Sequence, residues 1–88
     1  MKIKDGFMLR KVGGQSVVVA TGDASKSFNG IIKLNETGAL MWNTLAVGCD
    51  ETGLLKAVLD EYNIDENTAK ADISAFIEKL KGADLLDL

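Results

Sequence analysis

Histidine is absent from this 88-residue chain, and cysteine occurs once, at Cys49. These two shortages exclude a Ser-His-Asp triad, a Cys-His dyad, a Cys/His zinc site and any intrachain disulfide. Long apolar runs are also missing. Val17-Val18-Val19-Ala20 is as long as they get, far short of the ~20 residues that span a bilayer. Met1-Lys2-Ile3-Lys4-Asp5 leads into no apolar stretch of the signal-peptide kind, and a lone thiol without such a signal suits the reducing cytoplasm. Basic excess is lacking as well. Ten Lys and Arg stand against 13 Asp and Glu, a net charge of −3, whereas phosphate binding needs a basic surface. What remains is 47% apolar and 26% charged, the balance of a folded globular chain. The length allows one domain, residues 1–88.

The texture changes near Asn35. Before it the pattern is that of strands. Gly6-Phe7-Met8-Leu9-Arg10-Lys11-Val12 alternates, with Phe7 and Leu9 on one face and Met8, Arg10 and Val12 on the other. Gly13-Gly14 supplies a tight hairpin turn, and the β-branched run Gln15–Thr21 pairs back on the first strand. The polar stretch from Gly22 to Asn29 reads as a loop, and Gly30-Ile31-Ile32-Lys33-Leu34 as a short third strand. After Asn35 the period becomes helical. Asn35, Asp50 and Asp65 are N-caps, each followed by a glutamate that suits the helix dipole. The first helix covers about 36–46, with Met41, Trp42 and Leu45 on one side. Leu54, Leu55, Val58, Leu59 and Tyr62 form the stripe of the second, and Ala69, Ile73, Phe76, Ile77 and Leu80 that of the third. Gly82 is expected at the C′ position that ends the third helix, and Leu85, Leu86 and Leu88 form a tail that can tuck against the core. The fold class is α+β: a three-stranded antiparallel sheet followed by three helices, winged helix-turn-helix-like in shape.

Few residues offer chemistry. Trp42 could anchor a ligand, but a core tryptophan suits its stripe better, with Gly38 tolerated one turn earlier because a neighbour packs close. The acidic clusters at 35–37, 50–52 and 65–68 are explained by capping, and they lack the alternating ligands of a calcium loop. Cys49 precedes a helix start, which can depress a thiol pKa. With no His and no second Cys, an incidental thiol is the simpler reading. Gly13-Gly14 lacks the Lys and Ser/Thr of a phosphate loop. No catalytic residues, metal ligands or cofactor site emerge.

Phe28-Asn29-Gly30-Ile31-Ile32, then Leu34-Asn35-Glu36-Thr37-Gly38-Ala39-Leu40-Met41-Trp42 and Leu45, resembles the signature of the PqqD-like family. Leu9-Arg10 before the Gly-Gly hairpin, Tyr62 before an acidic turn, and Asp72-Ile73 with Phe76, Leu80 and Leu85-Leu86 extend the likeness over about residues 6–88. The resemblance implies a non-catalytic peptide-recognition element of ribosomally made, modified peptide pathways, redox-cofactor (PQQ) synthesis being the eponymous one. Such an element holds the leader of a precursor peptide and presents it to a modifying enzyme, often a radical-SAM protein or a peptidase. It also implies that the leader adds as a strand along Gly30, Ile31, Ile32, Lys33 and Leu34 and lies against the third helix.

The residues are compatible with that role. An edge strand has unpaired N–H and C=O groups that an extended peptide can satisfy, and Gly30–Leu34 has no proline and one charge. On the third helix, Lys70, Ser74, Ile77 and Lys81 fall at i, i+4, i+7 and i+11, one rail. The expectation is that this rail borders the peptide groove, with Ile73 and Ile77 giving apolar contact and Lys70 and Lys81 attracting acidic leader residues. The plainer alternative makes the lysines a solvated face and Ile77 core. Two other functions compete: an adaptor that docks a folded partner enzyme, and a winged-helix nucleic-acid binder. The latter is disfavoured because Lys70, Lys79 and Lys81 are balanced by Glu66, Asp72 and Glu78. No membrane partner is expected, and an unpaired edge can also join two copies as a homodimer.

Overall fold

The computed structural model describes residues 1–22 and 31–87. The Gly22–Asn29 loop beyond Gly22, the strand position Gly30, and Leu88 lie outside the described residues. In chain order the elements are β1 (Lys2–Ile3), β2 (Phe7–Val12), β3 (Gln15–Ala20), β4 (Ile32–Leu34), α1 (Glu36–Val47), α2 (Glu51–Glu61), α3 (Glu66–Gly82) and β5 (Leu86–Asp87).

β2, β3 and β4 form an antiparallel sheet in that order. Gly13 and Gly14 both take positive φ, 58° and 80°, which glycine adopts without a Cβ clash and which a two-residue hairpin turn demands. The turn sets the register: Leu9 opposes Val18, and Val18 opposes Ile32. One sheet face therefore carries Leu9, Val18 and Ile32 toward the helices, with Leu34 two residues on. The other face carries Met8, Arg10, Val17 and Lys33. The third strand is shorter than the sequence predicts, since the ladder within the described residues starts at Ile32 and leaves Ile31 exposed.

The helices begin as their caps dictate. The side chains of Asn35, Asp50 and Asp65 accept hydrogen bonds from the backbone N–H of Gly38 (2.7 Å), Gly53 (2.8 Å) and Thr68 (2.6 Å). Each bond satisfies an N–H that has no intrahelical partner. The bonds from Thr68 hold the Asp65 carboxyl below its ordinary pKa, the backbone N–H first and the hydroxyl second. All three predicted stripes face inward. Met41, Trp42, Leu45, Leu54, Val58, Ala69, Ile73, Phe76, Ile77 and Leu80 join Val18 and Leu34 in one core. Trp42 is 3% exposed, a core residue and no ligand anchor. A Cβ on Gly38 would stand 3.3 Å from Leu34 Cβ and 3.1 Å from Asn35 Oδ1, so the close neighbour is the end of β4.

Two features depart from the sequence reading. Gly82 is not at C′; it is the last residue of α3. Ala83 caps the helix, and Asp84 takes the left-handed conformation at φ 59°. The N–H of Leu85 bonds to Leu80 O (2.9 Å) and that of Asp84 to Lys81 O (3.0 Å), the paired bonds of a Schellman motif. Leu80 and Leu85 are both fully buried. Their contact fixes the end of the helix at the position where Leu85 reaches the core. The second departure is a small sheet in which β1 and β5 pair antiparallel, Lys2 with Asp87 and Ile3 with Leu86. Lys4 and Asp84 close it with an ion pair at 2.6 Å. Leu85 and Leu86 thus tuck into the core, as expected, but within a strand pairing that two-residue segments do not announce.

Candidate functional site

The central strand β3 is paired on both sides, so β2 and β4 are the edges of the three-stranded sheet. Among the described residues no strand pairs the outer side of β4. Its backbone therefore offers N–H and C=O groups to whatever comes alongside. Strand alternation turns Leu34 inward and leaves Lys33 exposed.

A groove of about 290 Å³ runs between this strand and α3. Lys33, Leu34 and Asn35 line it from the strand side, and Thr37, Gly38 and Met41 from α1. Asp72, Ala75, Phe76 and Lys79 of α3 form the opposite wall. Those four positions follow the i, i+3, i+4, i+7 spacing of one helix face. Phe76, Met41, Leu34 and Gly38 are buried, whereas Asp72, Ala75 and Lys79 are exposed. The groove thus combines an apolar bottom with polar rims and an unpaired strand edge. That combination can hold an extended peptide by its backbone and sort it by alternate side chains.

The predicted helix rail is elsewhere. Lys70, Ile73 and Ser74 line a separate hollow against α2, together with Glu51, Thr52 and Leu55. Ile73 is 4% and Ile77 3% exposed; both are core residues, and neither lines the β4 groove. Lys81 is exposed beside Glu78, 3.9 Å away. At ~100° per residue, the 70-74-77-81 rail and the 72-75-76-79 face point nearly opposite ways around α3, one on each flank of the core stripe. The structure brings Ile32, Lys33 and Leu34 to the β4 edge with Ile31 just before them. It does not bring Lys70, Ile73, Ser74, Ile77 or Lys81 to that groove. The α3 residues that line it are Asp72, Ala75, Phe76 and Lys79. Sequence periodicity could have yielded this second face, but nothing in it says which flank meets the strand.

Among the described residues no three His, Cys, Asp or Glu side chains converge, and no buried side-chain nitrogen or oxygen lacks a partner. Burial pushes the Cys49 thiol above its ordinary pKa, overriding the nearby amino terminus, and Asp50 adds to the rise. A raised pKa means less of the nucleophilic thiolate. No helix among the described residues is long and apolar enough to cross a membrane.

Comparison with known proteins follows the same lines. The model of the family described as coenzyme PQQ synthesis protein D (PqqD) matches residues 15–86. Among solved structures, the chain is similar to TbiB1 in complex with the TbiA(beta) leader peptide. That match has a TM-score of 0.76 and 23% identity, and covers 99% of this chain and 95% of the other. It is also similar to a lasso peptide synthetase B1 complexed with its leader peptide, with a TM-score of 0.72 and 21% identity, covering 92% of this chain and 89% of the other. At these identities the likeness is one of fold. No curated protein matches the sequence significantly.

Proposed function

We propose, from the premise that this chain belongs to the PqqD family, that it is a non-catalytic domain that binds the leader of a ribosomally made precursor peptide. The leader adds as a strand to the outer edge of β4 and lies in the groove against α3. The domain then presents it to a modifying enzyme of the radical-SAM or peptidase kind, in the cytoplasm. The observation that carries this reading is the unpaired β4 edge alongside the apolar floor of Leu34, Met41 and Phe76. Two proteins of the same fold were solved with leader peptides bound, which supports the choice of ligand. Nucleic acid is a poor fit: the exposed Lys70, Lys79 and Lys81 of α3 alternate with exposed Glu66, Asp72 and Glu78, so no basic face forms.

Amide NMR of labelled protein, titrated with the leader of the short peptide encoded nearest its gene, tests the reading. Shifts should concentrate at Ile31–Asn35 and Asp72–Lys79. Shifts confined to the Lys70–Ser74 flank would overturn the proposed groove. None at millimolar peptide would overturn leader binding by the domain alone.

A further inference from the structure

The exposed rims of the β4–α3 groove are charged, and the charge is not evenly spread. Asp72 and Lys79 lie on one face of α3, seven residues apart, which is two helical turns or ~10 Å. Ala75 and Phe76 sit between them. Lys33 lies on the strand side, where alternation turns its side chain to the sheet face away from the helices. None of the three side chains makes an ion pair or side-chain hydrogen bond with another described residue. The helix wall thus carries one acid and one base two turns apart, each able to meet a charge on an occupant.

We propose that this polarity selects both the composition and the direction of the bound strand, an inference that rests on the leader-binding reading above. The occupant carries an apolar side chain on the Phe76–Met41–Leu34 floor. A basic side chain two residues to one side faces Asp72. An acidic one two residues to the other side faces Lys79. Positions i−2, i and i+2 of a strand share a face, and the outer two are ~13 Å apart. Long side chains bridge the small mismatch with the helix spacing. A strand threaded backwards would set like charges against each other, so the pattern fixes direction as well as sequence. Arranged charges of this kind sort partners and fix register more than they add raw affinity.

Selection of a random dodecapeptide library on the wild-type protein tests this, with Asp72→Lys/Lys79→Glu and Ala75→Arg as comparison baits. All three altered positions are exposed, so the folds should persist, and circular dichroism checks this. Wild-type selectants should show an apolar residue flanked at ±2 by one base and one acid. The double variant should enrich the reverse order, and Ala75→Arg, which fills the groove, should enrich neither. A representative peptide and its charge-swapped partner, compared by fluorescence anisotropy, should differ at least roughly fivefold, as two exposed pairs allow. Enrichment lost with Ala75→Arg but without a charge pattern, or with the same pattern on both other baits, overturns the charge rule and keeps the groove. Enrichment that survives Ala75→Arg, or none on any bait, overturns the groove and the rule together.

Discussion

The third helix separates two hollows of similar make that differ in the backbone they present. Against α2, Lys70, Ile73 and Ser74 meet Glu51, Thr52 and Leu55. Against β4, Asp72, Ala75, Phe76 and Lys79 meet Lys33, Leu34 and Asn35. Both have an apolar floor and charged rims. The difference is in the backbone of the opposing wall. Glu51 and Thr52 open α2, so that wall offers side chains and the N–H groups of a helix start, and no run of alternating donors and acceptors. β4 is an edge, so the second can offer hydrogen bonds that any sequence is able to use, with side chains left to discriminate. Backbone pairing supplies strand-adding affinity. Two hollows alike in residue type therefore differ in kind.

The largest expected effect concerns what the two flanks share. Trp42 of α1 is 3% exposed and lines neither hollow. Trp42→Ala should cost about 3–5 kcal/mol, the usual figure for truncating a large buried aromatic. That could be most of the stability of a domain this small. Urea denaturation measures it. A loss under about 1 kcal/mol would mean that the core does not carry the fold, and that the flanks do more than border it.

The comparison itself is broken or sharpened by adjacent substitutions on opposite flanks. Ala75→Arg puts a long side chain into the β4 groove; Ser74→Arg puts the same one beside α2. Both positions are exposed, and arginine is a good helix former, so melting temperatures should barely move. Leader affinity, measured by calorimetry, should fall at least tenfold, about 1.4 kcal/mol, for Ala75→Arg and stay within about twofold for Ser74→Arg. Equal losses would erase the distinction between the flanks. The reverse order would restore the Lys70–Lys81 rail as the binding face.

How far the sequence discloses this site follows from what each signal encodes. Helix starts are written locally: Asn35, Asp50 and Asp65 cap the helices they precede. The stripes are written in the 3.6-residue period, and every residue of the predicted α3 stripe is buried. The strand of the family signature, just before Asn35, is one of the two edges of the sheet. The flank of α3 that meets this strand was not legible. A helix stripe has two borders, and which one faces the sheet depends on how α1 and β4 pack against α3, a matter of long-range contact. The β1–β5 pairing joins residues more than 80 apart through two-residue strands too short to show alternation.

The smallest effect sharpens where both flanks end. Glycine near the foot of a helix usually signals the left-handed C′ residue, and Gly82 invites that reading. Were it so, Gly82→Ala would place a Cβ in the left-handed region at a cost of about 1–2 kcal/mol. Here Gly82 is still helical, and a Cβ built on it meets nothing within 4 Å. Asp84 takes the left-handed position because Leu85 must reach Leu80 in the core. Gly82→Ala should then stabilise the protein by about 0.4–1 kcal/mol, since alanine has less unfolded-state freedom to lose and a better helix propensity. The sign alone decides, and a urea midpoint reads it. A rise places the helix end beyond Gly82, with Lys79 in a complete turn facing the β4 groove. A fall makes Gly82 the left-handed C′ residue and moves the helix end two residues earlier, with Lys81 as the cap and Lys79 in the last turn.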